Sequence, residues 1–160
     1  MKTFSTTRKL AISGIFMALY ILIMYFTQSF AFGEYQIRIA TSLYALTAIF
    51  PFLILPMGLA NMLSNTLMGG LGFFDIFGGL AAGLITSTLV WLISKYKLSD
   101  FLIAIPIVFA VGLIIPIWLS VILHIPYWAL AVSLCVGQVV PAIVGVLLVK
   151  MMRKRMEGEE

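Results

Sequence analysis

Long apolar intervals separated by a few charged residues dominate the chain. Four intervals contain no Lys, Arg, Asp or Glu: residues 10–33, 39–74, 76–94 and 101–149, which are 24, 36, 19 and 49 residues long. A helix rises about 1.5 Å per residue and the hydrocarbon core of a bilayer is about 30 Å thick, so about 20 residues cross it once. The first and third intervals therefore predict one transmembrane helix each. The last predicts two, with a break near residues 123–128.

The second interval is too long for one crossing, since its residues would span about 54 Å as a helix. Pro51 and Pro56 interrupt helical hydrogen bonding there and divide it into two short helices. The positive-inside rule supports this division, because it puts three basic groups on the cytoplasmic side. Those groups hold nine of the ten Lys and Arg residues: Lys2, Arg8 and Lys9; Lys95 and Lys97; and Lys150, Arg153, Lys154 and Arg155.

The pattern thus predicts an all-α integral membrane protein with six transmembrane helices and both termini in the cytoplasm. The expected helices are residues 10–27, 38–54, 57–70, 75–93, 101–121 and 127–150. Composition agrees, because 62% of the residues are hydrophobic and 10% are charged, against about 25% charged in soluble domains. We expect one transmembrane domain, 1–160. Its first apolar stretch is too long for a signal peptide and is interpreted as the first span.

Charge and motif content exclude several classes of function. The net charge of +4 comes from the basic groups at the predicted membrane surface, so nucleic acid is not an expected partner. One cysteine and one histidine do not make a zinc or haem site of the usual form, and no metal or cofactor is expected. The chain has no P-loop motif for ATP hydrolysis. It also has no Ser/His/Asp set with its members plausibly close, which argues against an enzyme.

Unusual polar and aromatic residues concentrate toward the predicted outer ends of the helices. A buried polar group in a membrane costs free energy unless it meets a partner. Amide, carboxylate and aromatic groups at one end of a bundle predict a pocket for a small, flat, polar molecule. The candidates are Tyr35, Gln36, Arg38, Asn61, Asn65, Phe74, Asp75, Trp128 and Gln138.

The acidic and amide candidates also have structural explanations. Asp75 opens the predicted fourth helix, where a carboxylate stabilises the helix N-terminus, and it can pair with Arg38, the only basic residue at the outer end. Asn61 and Asn65 share a helix face and can hydrogen bond to neighbouring helices. The sequence leaves both explanations open.

Two further candidates have equally ordinary explanations. Gln138 can satisfy backbone groups freed by the proline three residues later. Trp128 lies where an aromatic belt at the membrane interface is expected.

Small residues recur at helical spacing in two places. Ala11, Gly14 and Ala18 line one side of the first helix, and Gly79-x-x-x-Gly83 repeats the spacing on the fourth. Small residues let helix backbones approach closely. For the fourth helix we expect packing within the bundle. For the first, both packing and the docking of another protein are compatible with the sequence.

A polar outer pocket in a small bundle without an energy source predicts a binding subunit that depends on a separate motor. The main alternative is a self-sufficient small permease or channel, which requires polar residues along the whole path. The inner halves of the predicted helices are almost free of polar residues.

Residues 34–84, EYQIRIATSLYALTAIFPFLILPMGLANMLSNTLMGGLGFFDIFGGLAAGL, resemble the QueT family. The matching motifs are Gln36-x-Arg38, Gly58-x-x-x-Met-Leu-Ser-Asn65, Gly70-x-Gly72 and Asp75-x-x-x-Gly79. Members are substrate-binding (S) components of energy-coupling-factor (ECF) transporters and are associated with queuosine precursors. The resemblance runs from the first helix to about Gly83 and covers about half of the chain.

The resemblance implies capture of a 7-deazaguanine base, such as queuine, from outside the cell. It also implies six helices with cytoplasmic ends, a coupling transmembrane subunit and two ATPases, with Gly14 and Ala18 on the docking face. In the family an acidic residue commonly follows the arginine, whereas here Ala40 and Thr41 follow it. Asp75 is then the acidic candidate for the guanidine-like edge of the base, and another purine-like base or a vitamin remains an alternative. Further expected contacts are hydrogen bonds from Asn65, Gln36 or Arg38 and stacking by Tyr35, Phe73, Phe74 or Trp128.

Overall fold

A computed structural model describes residues 4–31, 36–69 and 71–158, except for the side chain of Glu157. These residues are 87% helical and contain no strand. We number six helical segments in chain order. They are α1 (Thr6–Phe26), α2 (Ile39–Ala48), α3 (Pro51–Gly69), α4 (Phe73–Lys95), α5 (Asp100–Leu123) and α6 (Tyr127–Met156). A single helical turn, Gln28–Ala31, follows α1.

Five of these segments, α1 and α3 to α6, are long and apolar enough to cross a membrane. They correspond to five of the six predicted helices. The second predicted helix differs, because α2 is a 3₁₀ helix of 10 residues. At about 2.0 Å per residue it extends only about 20 Å. Residues 40–48 are all buried, so α2 runs through the interior of the bundle.

Several segments depart from regular α-helical hydrogen bonding. α3 ends in a π-helical turn, Asn65–Gly69, and α5 contains a second one, Pro106–Ala110. Pro106 has no N–H to donate, which loosens the local ladder. α6 is interrupted at Gln138. Wide π turns often occur at functional positions, and Asn65 lies at one of them.

Small residues on α4 face the bundle, as predicted, whereas those on α1 do not. A Cβ on Gly83 would lie 2.9 Å from the Cα of Gly58, so the α3 and α4 backbones touch there. Ala11, Gly14 and Ala18 are exposed, and a Cβ on Gly14 would meet nothing within 4 Å. The stripe on α1 therefore faces away from the rest of the chain.

Contacts between termini and turns define one end of the bundle, called the basic end below. The Phe4 ring lies 6.0 Å from that of Phe50, just after α2. Ser94, near the end of α4, donates to the carbonyl of Ala48 at 2.7 Å and accepts from Nη2 of Arg153 at 2.9 Å. The beginning of α1 and the ends of α2, α4 and α6 therefore lie together.

Candidate functional site

A cluster of polar side chains is buried among apolar helices away from the basic end. Each of its members is no more than 2% exposed: Arg38, Asn61, Asn65, Asp75 and Gln138. The residues come from the start of α2 and from α3, α4 and α6. Burying such groups is unfavourable unless they are hydrogen bonded, so their partners determine what the cluster can do.

Arg38 lies at the centre of the cluster and donates to two side-chain amides. Its Nη1 donates to Oδ1 of Asn61 at 3.3 Å and to Oδ1 of Asn65 at 3.1 Å. Its Nε donates to the carbonyl of Ala31 at 3.4 Å. The two asparagines share one face of α3, as their spacing predicts. Because both amide oxygens accept from Arg38, both amide nitrogens are left to donate elsewhere.

The asparagine nitrogens extend the network to three other helices. Nδ2 of Asn61 donates to the Tyr44 hydroxyl at 2.8 Å. That hydroxyl lies 3.1 Å from the hydroxyl of Tyr20 on α1, and the two rings are stacked. Nδ2 of Asn65 donates to the backbone carbonyl of Asp75 at 2.9 Å. The network thus connects α1, α2, α3 and α4.

Asp75 lies in the first turn of α4 and retains an open acceptor. Its Oδ1 accepts from Nε1 of Trp118 at 3.3 Å. Its Oδ2 is buried and has no hydrogen-bond partner among the described residues. The possible ion pair with Arg38 is not formed within 4.0 Å, because Asn65 lies between the two residues. Asp75 can therefore accept a further hydrogen bond at this oxygen.

Gln36 and Gln138 form the other side of the cluster. Nε2 of Gln138 donates to the backbone carbonyl of Gln36 at 3.1 Å, and its Oε1 accepts from Thr41 at 2.7 Å. Gln138 therefore fixes the chain before α2. Gln36 adopts a positive φ of 42°, which is uncommon for a residue with a side chain. Its Oε1 is buried and, within the described ranges, unpartnered, so the cluster contains a second open acceptor.

The family model of the QueT transporter matches residues 10–154. The chain belongs to the QueT transporter family. The match extends well beyond residues 34–84, on which the resemblance in the sequence rests. Searches of curated proteins and of solved structures each gave no match. Family membership and five apolar helices together indicate a multi-pass membrane protein with a role in transport rather than catalysis.

Phe74 and Trp128, two of the aromatic residues predicted for the site, do not join the cluster of this QueT chain. Phe74 is 69% exposed and Trp128 is 72% exposed. Trp128 packs edge-on against Tyr127 instead, with ring centroids 5.0 Å apart, as expected for an interfacial belt. Tyr35 falls outside the described residues.

Sequence reasoning missed Trp118, whose indole N–H donates to Asp75 in the cluster. A Cβ on Gly78 would lie 2.5 Å from the indole ring, so glycine is what allows the ring to lie against α4. The glycine pair Gly78-Gly79, one turn after Asp75, was a usable signal for close approach by a large side chain.

Two tyrosines and a threonine were also missed, all within apolar stretches. A tyrosine hydroxyl inside a membrane helix requires a partner, and this rule points to Tyr20 and Tyr44. The Thr41 hydroxyl lies 2.7 Å from Oε1 of Gln138 and 2.7 Å from the carbonyl oxygen of Arg38, and its single proton can be donated to either acceptor. The contact with Arg38, three residues away, is expected from local helical geometry. The contact with Gln138, 97 residues away, is not.

Proposed function

We propose that this QueT-family chain is the S component of an ECF importer and that it captures a queuosine precursor from outside the cell. The substrate would be queuine or a related 7-deazaguanine base. The observation that most directly supports a solute site is the pair of buried open acceptors, Oδ2 of Asp75 and Oε1 of Gln36. Buried acceptors are costly when unpaired, and a ligand with N–H donors would pair them.

A deazaguanine has the complementary chemistry. Its ring N–H and exocyclic amine lie side by side and suit a carboxylate acceptor, a role we assign to Asp75. Gln36 accepts a further N–H, and Arg38 or Asn65 donates to the carbonyl of the base. Asn61 and Gln138 hold Arg38 and the Gln36 backbone in place. Phe74 and Trp128 are left out of this site because their side chains are largely exposed.

Six crossings with both termini in the cytoplasm form part of the proposal. The path of α2 supports these crossings, because it leads from Arg38 in the buried cluster to Ala48 at the basic end. Ring contact between Phe4 and Phe50 and the hydrogen bond between Arg153 and Ser94 place both ends of the described chain together. Basic residues favour the cytoplasmic side. The site then opens toward the outside of a prokaryotic plasma membrane.

Apolar packing between the site and the basic end supports a separate motor. One apolar cluster fills this part of the bundle: Ala45, Ala48, Val90, Ile103, Ile107, Ala142, Val146 and Val149. Apart from the buried hydroxyls of Thr47, Thr86 and Ser87, the described side chains here offer a base no polar path, which disfavours a self-sufficient permease. We infer that a coupling transmembrane subunit and two ATPases move the substrate. The exposed stripe Ala11, Gly14 and Ala18 is the proposed docking face.

Two measurements test this function. Purified chain is titrated with queuine, other deazaguanines, purines and B vitamins by thermal shift and calorimetry, and queuine is expected to bind most tightly. Proteoliposomes with the chain alone, or with co-expressed coupling subunit and ATPases, are then assayed for queuine uptake. Uptake is expected only with the partners and ATP. Uptake by the chain alone would favour a permease, and preference for another solute would replace the substrate assignment.

A further inference from the structure

A second feature, unrelated to the buried cluster, is a groove of about 520 Å³ between α4 and α5. The side chains along it are apolar except for one tyrosine hydroxyl and include Ile85, Leu92, Tyr96, Ile105, Phe109 and Leu113. We propose that the groove binds one acyl chain of an anionic phospholipid, with the headgroup beside Lys95 and Lys97. This lipid site goes beyond the transport function and does not depend on the identity of the solute.

The length of the groove matches one leaflet. On α4 its lining runs from Ile85 to Tyr96, and these 11 steps correspond to about 17 Å. That is close to half of a hydrocarbon core about 30 Å thick. The length of the groove therefore fits an acyl chain that lies in one leaflet.

The shape of the groove comes from the backbone of α5. The π-helical turn Pro106–Ala110 lies in its wall, and the small side chain of Ala110 lines it. A widened turn with a small residue leaves a recess that side-chain rotation does not remove. In hydrocarbon an unfilled recess forfeits dispersion contacts along its whole wall, so an acyl chain is favoured there.

Charge at the end of the groove selects an anionic headgroup. Lys95 and Lys97 flank the lining residue Tyr96 and are exposed. Neither lysine forms an ion pair with any described acidic residue. Nζ of Lys95 lies 4.8 Å from the centroid of the Trp91 ring, and this cation–π contact leaves its charge without an acidic partner. The nearby Asp100 is engaged by Arg153, with Oδ2 3.2 Å from Nε, so its charge is compensated. Basic residues at the membrane surface attract anionic lipids by about fivefold in affinity each.

Native mass spectrometry of the full chain in micelles tests the proposal. The chain is titrated with palmitoyl-oleoyl-phosphatidylglycerol or with the phosphatidylcholine that has the same acyl chains. Wild type is expected to retain the phosphatidylglycerol about tenfold or more tightly than the phosphatidylcholine. Lys95→Gln/Lys97→Gln should lose this preference. Ala110→Phe, which fills the groove, should weaken retention of both lipids. The matched control Arg8→Gln/Lys9→Gln removes the same charge from the first turn of α1, which does not line the groove, and should keep the preference of wild type.

Three outcomes would overturn the lipid site. Equal retention of the two lipids by wild type would exclude headgroup selection. Unchanged retention in Ala110→Phe would show that the acyl chain lies elsewhere. A dimer that dissociates in Ala110→Phe would identify a second copy as the occupant. Circular dichroism and size-exclusion profiles matching wild type establish that each variant is folded, and Ala110→Leu replaces Ala110→Phe if the larger side chain does not fold.

Discussion

Two arginines, one at each end of the bundle, show how differently the two ends are built. Arg38 is 2% exposed and binds amide oxygens and a backbone carbonyl. The side chain of Arg153 is 37% exposed and forms an ion pair with Asp100, whose side chain is 20% exposed. Burial of a guanidinium is costly unless a complete set of acceptors surrounds it. An exposed pair requires far less support.

The difference indicates what each end is for. At the opposite end, called the site end because it holds the buried cluster, polar groups from several helices are buried together. Two acceptors there lack partners among the described residues. At the basic end, the Ser94 hydroxyl joins α4 to the carbonyl of Ala48 at 2.7 Å, and the buried groups further along α4 that lack a described partner are hydroxyls, those of Thr86 and Ser87, rather than a carboxylate or an amide. Stability alone does not explain a buried network, since apolar residues of similar volume are often as stable. Solute recognition supplies a reason to keep the site end polar.

Exchanging an acidic residue at each end gives the largest expected contrast. Asp75→Asn preserves shape but replaces a carboxylate acceptor with an amide, and a charge-assisted hydrogen bond contributes about 1.5–3 kcal/mol. We expect the affinity for queuine, measured by calorimetry, to fall by about 100-fold. Asp100→Asn makes the same chemical change at the basic end and should leave the affinity unchanged. Equal affinities of Asp75→Asn and wild type would remove Asp75 from the site.

Much of the fold was predictable because membrane thickness and charge restrict it so strongly. Five predicted helices correspond to membrane-spanning candidates. The 3₁₀ form of α2 was not predictable, because hydropathy measures apolar length and not the hydrogen-bond pattern. Arg38 and the run Pro51–Leu53 bound α2 at each side. Its near-complete burial depends on five other helices that no local pattern describes.

Burial was predicted better for the polar candidates than for the aromatic ones. Asn65, Asp75 and Gln138 were identified because a polar residue in an apolar interval requires a reason, and all three are buried. Phe74 and Trp128 were selected because their rings could stack on a flat base. Contact with lipid at the membrane interface explains aromatic residues at these positions equally well. Trp118 required knowledge of how α5 packs on α4, and that depends on tertiary contacts rather than on helical spacing.

A smaller contrast is expected between Gly79 and Gly14, each of which begins a pair of small residues spaced four apart. A Cβ on Gly79 would lie 2.6 Å from Nδ2 of Asn65 and 3.1 Å from Oδ1 of Asn61. Gly79→Ala must therefore displace the amides that hold Arg38, and a displaced hydrogen bond costs about 1 kcal/mol. We expect about a tenfold loss in affinity for queuine by calorimetry.

The matched variant Gly14→Ala changes the α1 stripe, where an added Cβ meets nothing within 4 Å. Its queuine affinity should equal that of wild type. A bulkier change, Gly14→Leu, should preserve binding and reduce co-purification with the coupling subunit. If Gly14→Ala also weakened binding, α1 would be coupled to the site through Tyr20 and Tyr44, which lie on the connecting hydrogen-bond path.

The smallest effect is expected at the basic end. Arg153→Gln breaks an ion pair whose two side chains are both partly exposed, and such pairs contribute less than about 1 kcal/mol. Thermal unfolding in micelles, followed by circular dichroism, should shift only slightly, and less at high salt because exposed charges are screened. Queuine affinity should not change, since the apolar cluster separates Arg153 from the site. A marked loss of affinity would mean that the two ends respond to each other, and the basic end would then belong to the binding machinery rather than to membrane orientation alone.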